Sequence, residues 1–409
     1  MDPPSLSPAK NTALQATIYL LYGIGPLTGN VVQVLLPLLV HDFSAPPGVV
    51  LAAALIAFMV PFSITQLFSG AWSENRGRVF LISFGLVLFG AGMVIATLAT
   101  SLGAYIVANL IAGLGFGLIN PVIIALMTDI TPPGPIIARK MAYLSACATF
   151  STGIGPLLAG IFAVVNWRLL YLLIAVLALF SLVVLLALRL PSRVGAHQGE
   201  AVEPITVQIR QELRSPVVIV MVAGAFLISH CILGATIWTS RAVSGLINPA
   251  LYGIGLGFAG IIGALATIAF GFMIKRTGPR MTMSLSFISL VAGLCVLILA
   301  GKNLTSDFPM VELGLVLVLV AGGGPFPIIM YYSQSIVPTR RGALAGLSQF
   351  GYFAGIALVS FDFGPVYAFG VSWVFAGMIV VGCLLLALVL LVIKKGNAMM
   401  ASLPPRGHL

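Results

Sequence analysis

Three ionisable side chains lie in or beside long apolar stretches, where charged residues are rare in this sequence. They are Asp129, His230 and Asp362. An imidazole titrates near neutral pH, and a carboxylate in apolar surroundings can hold and release a proton, so each is a candidate for proton coupling. Each also has a structural alternative. Asp129 precedes a loop with basic residues and is expected to pair with one of them, while a single histidine on a helix face is often simply hydrogen-bonded.

Polar and aromatic side chains also recur along one face of the first apolar stretch. They stand three or four residues apart, which is the spacing of one helix face, and the set is Tyr19, Tyr22, Pro26, Asn30, Gln33 and Pro37. Lipid offers the two amides no hydrogen-bond partner, so this face must contact protein or water. Two interpretations stay open: hydrogen bonding between helices, or the lining of a substrate cavity.

Further candidates for a substrate site lie in later apolar stretches. They are aromatic, amide-bearing or imidazole side chains: Asn109, Phe116, Asn120, His230, Trp238, Tyr331, Tyr332, Gln349 and Tyr352. Aromatic faces with scattered amides suit amphipathic or planar organic solutes that are neutral or weakly cationic. A site for a highly anionic substrate would need arginine or lysine deep in these stretches, and none stands there.

Membrane-spanning helices must position these residues. The chain has 409 residues, of which 60% are hydrophobic and 7% charged, and its mean hydropathy is +1.13. Runs of about 18 or more apolar residues cross a bilayer as helices. The sequence predicts twelve, called spans 1 to 12, at approximately 13–40, 49–70, 79–99, 104–128, 141–164, 169–189, 216–240, 250–274, 281–300, 311–335, 342–365 and 371–393. The predicted fold is therefore an all-α membrane protein.

The spans divide into two groups of six. We expect an N-terminal six-helix bundle at 1–189, a cytoplasmic linker at 190–215, a C-terminal bundle at 216–395 and a cytoplasmic tail at 396–409. Apolar residues every fourth position at Ile205, Ile209 and Leu213 predict a short interfacial helix in the linker. Span 10 is interrupted by three glycines and two prolines at 322–327. Unwound backbone is tolerated only beside a cavity or protein, so this interruption indicates a binding site.

The charges fix an orientation and exclude a nucleic-acid partner. The net charge is +10, but all except three of the 20 basic residues fall on the side of the termini, the exceptions being Arg168, Arg241 and Lys302. This asymmetry predicts a multi-pass protein of the cell (inner) membrane with both termini in the cytoplasm. No cysteine has metal-ligand spacing, and no Ser/His/Asp or clustered His/Asp/Glu set stands in the spans. We therefore expect no cofactor, no metal and no enzymatic activity.

A short basic turn bracketed by glycine occurs once in each half. It runs from Gly70 to Arg78 between spans 2 and 3, and from Gly271 to Arg280 between spans 8 and 9. An internal repeat of this kind is what a transporter made of two rocking bundles requires.

Taken together, the sequence resembles the major facilitator superfamily over essentially its whole length. The first turn is similar to that family's Gly-x-x-x-Asp-Arg-x-Gly-Arg signature through Gly70, Gly77 and Arg78, with Glu74 in place of the aspartate and Asn75 in place of the basic residue. In the second copy Lys275 takes the acid's place.

A second element, in span 5, resembles the Gly-Pro-x-x-Gly-Gly motif of the drug:proton antiporter branch. It contains Gly153, Gly155, Pro156 and Gly160, with Ala159 for one glycine. Span 4 departs from that branch, because Asn109 stands where many antiporters have an arginine implicated in proton handling.

The resemblance implies two pseudo-symmetric bundles around a central cavity lined by spans 1, 4, 7 and 10. It also implies a conformational switch on the cytoplasmic side, where Glu74 meets the start of span 11 near Arg340 and Arg341, and Asp129 and Arg78 complete the network. The leading hypothesis is export of a small organic compound by alternating access in exchange for protons, by a monomer in the lipid bilayer. Proton-coupled uptake of a nutrient or metabolite is the alternative, and a non-transporting membrane sensor is the third.

Overall fold

The computed structural model describes residues 7–131, 135–188, 205–335 and 341–401, and within these ranges every regular element is helical. Twelve helical segments in the described residues are long and apolar enough to cross a membrane. The helices of spans 1 to 9 are Pro8–Phe43, Pro47–Arg76, Arg78–Leu98, Leu102–Asp129, Pro135–Val165, Trp167–Ala187, Pro216–Val243, Pro249–Thr277 and Pro279–Ala300. Span 10 is two helices, Phe308–Ala321 and Pro325–Ser335; span 11 is Arg341–Asp362, followed by Gly364–Tyr367; span 12 is Val371–Ala401. The predicted all-α fold of twelve spans is confirmed.

Proline begins several of these helices. It occupies the first helical position of spans 1, 2, 7, 8 and 9, where its missing N–H would have had no helical partner and its fixed φ already suits a helix. A short helix, Ile205–Glu212, is present in the segment where the sequence predicts one. With an even number of spans, both ends of the chain lie on one face of the bundle. We call this the terminal face and the opposite one the distal face.

The repeated turns are shorter than the sequence predicts. The helix of span 2 continues through Gly70 to Arg76, and only Gly77 breaks it before span 3 begins at Arg78. Gly77 has a φ of 94°, and Gly278 between spans 8 and 9 has a φ of 88°. Polar residues with adequate helix propensity extend each helix beyond its apolar segment. A single left-handed glycine, costly for any other residue, then reverses the chain in each half.

Burial separates the spans into central and peripheral ones. About two thirds of the most apolar windows of spans 1, 4 and 7 are buried, whereas spans 3, 6, 9 and 12 reach 33–44%. This matches the expected central position of spans 1, 4 and 7. Spans 5 and 8, at 28%, are less buried than any peripheral span, and span 11, at 35%, lies within the peripheral range, although all three carry contacts between the halves.

The two halves meet along two different seams. Spans 5 and 8 approach through glycine: a Cβ placed on Gly153 would lie 2.7 Å from the carbonyl oxygen of Gly257, and one on Gly253 would lie 2.6 Å from the Cα of Gly160. Spans 2 and 11 instead meet through side chains. The rings of Phe62 and Phe353 are 4.4 Å apart and edge-on, and near the terminal face Leu67 packs with Val218, Leu344 and Leu347.

The interruption of span 10 is present, and protein groups of a neighbouring span contact it. The helix ends at Ala321, and three glycines precede the second helix at Pro325. Ser286 of span 9 donates a hydrogen bond to the carbonyl of Ala321, and Ser289 donates to the carbonyl of Leu317 at 2.8 Å. Hydroxyl groups of the neighbouring helix therefore satisfy carbonyls at the break, which is held against protein.

Candidate functional site

Two of the predicted proton-coupling residues contact each other. His230 of span 7 and Asp362 at the end of span 11 are 132 positions apart, yet His230 Nε2 lies 2.7 Å from Asp362 Oδ2. The imidazole side chain is 6% exposed and the carboxylate 36%. The pair joins a buried base to a partly accessible acid, within the C-terminal half and towards the distal face.

The second ring nitrogen of His230 also has a polar neighbour. Nδ1 lies 3.1 Å from the carbonyl oxygen of Phe226, which can only accept a hydrogen bond. Both ring nitrogens of His230 therefore lie beside oxygen atoms, one of a backbone carbonyl and one of a carboxylate. The pair joins two side chains that can each bind a proton.

The third candidate, Asp129, lies at the terminal face in an ion pair. Arg78 Nε is 3.2 Å from Asp129 Oδ2, with the arginine side chain 7% exposed and the carboxylate 27%. Arg78 also donates through Nη1 to Ser73 Oγ. This pairing with an arginine of the first turn corresponds to the structural alternative for Asp129. The side chains of Glu74 and Arg341, and the whole of Arg340, lie outside the described residues.

The amides of span 1 bond mainly within their own helix. Asn30 donates to the carbonyl of Pro26 at 2.7 Å, and Gln33 Nε2 donates to Asn30 Oδ1 at 3.3 Å. Gln33 Oε1 is buried without a hydrogen-bond partner in the described residues. The backbone of span 1 also contacts the other half, because Ser240 of span 7 donates to the carbonyl of Gln33. Gln33 therefore lies at the junction of the two bundles, and both interpretations of the span 1 stripe stay open.

Two predicted amides bridge the halves. Asn120 Nδ2 lies 3.4 Å from Gln349 Oε1, which joins span 4 to span 11. Beside Gln349, Tyr352 packs against Phe326 with ring centroids 4.9 Å apart and against Phe353 at 5.4 Å. Spans 4, 10 and 11 thus bring amide and aromatic groups together where the two bundles face each other.

Other predicted site residues are held in the packing of the bundles. Phe116 is 2% exposed and lies between Phe62 and Phe89 at 5.6 and 5.4 Å. Asn109 donates to the carbonyl of Tyr105 at 2.8 Å in its own helix. Trp238 is fully buried.

Tyr331 and Tyr332 lie near the terminal face, away from the junction of the halves. Tyr332 donates to Asn397 Oδ1 at 2.7 Å, which ties the second helix of span 10 to the end of span 12. Tyr331 is half exposed, and the rings of the two tyrosines are 5.2 Å apart. The remaining predicted members, Tyr19 and Tyr22, are partly buried against the core.

A family model described as the Major Facilitator Superfamily matches residues 18–360. The chain belongs to the Major Facilitator Superfamily. It is therefore a multi-pass membrane transporter and not an enzyme.

Curated relatives of this superfamily member cover most of the chain. Quinolone resistance protein NorA of Staphylococcus aureus (strain COL) is 25% identical over 382 residues, covering 90% of this chain and 94% of its own. The uncharacterized MFS-type transporter YceJ of Bacillus subtilis (strain 168) is 26% identical over 322 residues, covering 76% and 78%.

Solved structures share the fold at lower identity. A bacterial homolog of the human lysosomal transporter Spinster, in an inward-facing and occupied conformation, has a TM-score of 0.74 at 16% identity and covers 96% of this chain and 99% of its own. A D-xylose-proton symporter has a TM-score of 0.70 at 15% identity, covering 94% and 97%. These likenesses establish the transporter fold and leave substrate and direction open.

The glycines of the span 5 element pack against two different spans. Gly153 and Gly160 face span 8, as described above. A Cβ on Gly155 would instead lie 2.5 Å from the carbonyl oxygen of Leu27 in span 1. Pro156 lies inside the helix of span 5 and has no amide N–H to donate within it. Its carbonyl oxygen would be 2.7 Å from a Cβ on Gly253 of span 8. The element therefore sets how closely span 5 packs on both the N-terminal and C-terminal halves.

Sequence reasoning missed one ionisable residue, Glu312. Its carboxylate lies against the backbone of span 8, where a Cβ on Gly255 would be 2.3 Å from Glu312 Cδ. Glu312 Oε1 is buried and has no hydrogen-bond partner in the part of the chain that the structure describes. The predicted span 10 begins at residue 311, which placed Glu312 at the membrane boundary. The helix begins at Phe308, so the carboxylate lies one turn inside it. The apolar run that continues on both sides of Glu312 was the available signal.

The distal face holds an ion pair that contributes to stability. Asp42 Oδ2 accepts hydrogen bonds from Arg168 Nη1 at 2.7 Å and from Trp167 Nε1 at 3.0 Å. Arg168 also donates to the carbonyl of Ala99 at 3.1 Å. These contacts connect spans 1, 3 and 6.

Replacing Asp42 with asparagine should lower the free energy of unfolding by about 1–2 kcal/mol, because two charge-assisted hydrogen bonds in a partly buried site are weakened. Thermal unfolding of purified protein in detergent measures this. The control is Asp307→Asn, whose carboxylate accepts a hydrogen bond from the adjacent Ser306 and from no other side chain among the described residues. An equal change in both variants would contradict the expectation.

Proposed function

We propose that the protein exports a small amphipathic organic compound by alternating access, in exchange for protons that the His230–Asp362 pair carries. The terminal face is then cytoplasmic and the distal face is outside. The observation that carries the proposal is the 2.7 Å contact between His230 and Asp362, together with the Phe226 carbonyl on the other ring nitrogen. An imidazole in contact with a carboxylate brings together two groups that can each bind and release a proton.

The position of the pair suits coupling. His230 belongs to span 7 and Asp362 to span 11. Both spans also contact the N-terminal half: span 7 contacts span 1, and span 11 contacts span 2. Movement of the halves can therefore change how far water reaches the carboxylate, which lies at the end of span 11. Greater access of water would let the pair exchange a proton with solvent. Proton release would then accompany the conformational change.

The groups between the halves indicate the class of substrate. The described side chains there are aromatic or amide-bearing, such as Phe62, Asn120, Gln349 and Tyr352. Such groups bind planar or amphipathic solutes through ring faces and a few hydrogen bonds. A relative named for quinolone resistance supports this class, since quinolones are planar and amphipathic. A membrane transporter that confers resistance would do so by moving the drug outward.

Transport in vesicles of opposite orientation tests the direction and the coupling. A fluorescent quinolone should accumulate in everted vesicles when the lumen is acidified, and accumulation should collapse when the pH gradient is dissipated. Accumulation only in right-side-out vesicles would instead establish uptake. Failure to move the quinolone or other planar organic solutes in either orientation would overturn the proposal.

The span 1 amides should become accessible to water during this cycle. A cysteine at position 30 should react with a small polar thiol reagent and be protected by bound quinolone, because Asn30 is only partly buried and stands beside the unpartnered Gln33 oxygen. Reaction rates in a background lacking Cys147, Cys231, Cys295 and Cys383 measure this. A cysteine at Leu35, fully buried in the same helix, should stay unreactive. Equal inertness at both positions would show that the amides serve helix packing.

A further inference from the structure

Arg241 stands near the end of span 7 and is one of the three basic residues that the sequence places away from the terminal face. Its guanidinium carbon lies 4.8 Å from the ring centroid of Trp238 and 4.5 Å from that of Tyr367. These two rings are 5.2 Å apart and inclined by 37°. A planar guanidinium held against two aromatic faces is attracted by both ring quadrupoles.

The same guanidinium reaches the other half of the protein. It lies against Gly48, in the first turn of span 2, where a Cβ would be 2.6 Å from Arg241 Cζ and Nη2. Any side chain at position 48 would therefore collide with the cation. No carboxylate in the described residues lies within ion-pair distance of Arg241. The contact between the halves thus depends on the shape of Gly48 and on the two rings that hold the guanidinium.

The neighbouring residues anchor this contact on both sides. Ser240 donates to the carbonyl of Gln33 in span 1, so two consecutive residues of span 7 touch the N-terminal half. Within the C-terminal half, Trp238 donates through Nε1 to the carbonyl of Val359 at 2.8 Å. The rings that hold Arg241 are therefore fixed to span 11 and cannot follow span 2 when the halves separate.

We propose that Arg241 is a latch that closes the distal side of the transporter by seating its guanidinium on Gly48. Opening the distal side withdraws Gly48 from the guanidinium, which stays on Trp238 and Tyr367 as part of the C-terminal half. The latch acts on the conformational equilibrium of the empty protein. It depends on neither the substrate nor the proton-coupling residues proposed above.

Accessibility of a buried position near the distal end of span 7 tests this. Thr239 is 1% exposed, and in purified protein without the four native cysteines a cysteine placed there should react slowly with a polar maleimide that reaches both faces. Gly48→Ala displaces the guanidinium, and Arg241→Gln removes it. Each should raise the labelling rate about threefold or more, because the contact of the guanidinium with Gly48 is made only in the closed state, and its loss shifts the population toward the open state. The matched control is Gly103→Ala, in the first turn of span 4, where an added Cβ meets nothing within 4 Å.

A second position separates opening from loss of structure. Leu347, near the terminal face, is 4% exposed, and a cysteine there should label at the parent rate in every variant. Faster labelling at both positions would reveal general loosening and would count against the latch. A parent-like rate at position 239 in either Gly48→Ala or Arg241→Gln would overturn it, since the latch requires both the small residue and the cation.

Discussion

Replacing Asp362 with asparagine should abolish proton-driven transport while leaving quinolone binding within a few fold of the parent. Asparagine keeps the size of the side chain and its capacity to hydrogen-bond His230, but it cannot hold or release the proton. We expect accumulation of the quinolone in acidified everted vesicles to fall by about tenfold or more. A tenfold change corresponds to a free-energy difference of about 1.4 kcal/mol. His230→Gln should have the same effect. Binding is measured separately, by ligand-induced thermal stabilisation.

Two further variants make this expectation specific. Asp307→Asn alters a carboxylate in the loop before span 10 and should transport normally. Glu312→Gln alters a buried carboxylate of the C-terminal half, whose Oε1 has no hydrogen-bond partner in the described residues. If the asparagine and glutamine variants of the His–Asp pair both transport against a gradient and Glu312→Gln does not, the proton is carried by Glu312 and the assignment to the pair is wrong.

Valine at Gly153 should disrupt the seam between spans 5 and 8. The new Cβ would lie 2.7 Å from both the carbonyl oxygen of Gly257 and the amide nitrogen of Ile261, and backbone atoms cannot move aside as a flexible side chain could. Overpacking of this kind costs about 1–3 kcal/mol. Because the clash lies between the two halves, we expect a lower melting temperature and a transport rate reduced at least tenfold. A tenfold reduction in rate corresponds to a barrier raised by about 1.4 kcal/mol.

The same substitution at a glycine without neighbours provides the comparison. Gly103→Val adds the same side chain to a helix, at a position with nothing within 4 Å of the new Cβ. It should transport at close to the parent rate. Parent-like stability and transport in Gly153→Val as well would show that spans 5 and 8 do not stay this close during the cycle.

The twelve spans and the repeated turns could be predicted from sequence because the bilayer imposes a length on each apolar run. The interruption of span 10 was equally visible, since three glycines and two prolines cannot continue a helix. What surrounds the break was not predictable. Ser286 and Ser289 stand in another span, and nothing in their own sequence context marks them as donors to Ala321 and Leu317.

The candidate site was predictable as a set of residue types and not as a set of contacts. His230 and Asp362 were each selected for their chemistry, but their pairing depends on how spans 7 and 11 cross. Tyr332 illustrates the opposite case. Its position beside an interrupted helix indicated a cavity, yet its hydroxyl is taken by Asn397 at the end of span 12. A helical stripe gives the direction of a side chain but not the neighbour that it meets.

The turns at Gly77 and Gly278 both place a backbone of positive φ at the same point of each half. Each reverses the chain at a φ that only an achiral residue reaches without strain. The side chains near the two turns differ in the sign of their charge, with Glu74 in the first copy and Lys275 in the second. The two halves therefore share the backbone conformation of the turn but not its charge. L-alanine at either glycine would have to adopt a positive φ that L residues resist. One residue without a Cβ in each half therefore allows the chain to reverse there.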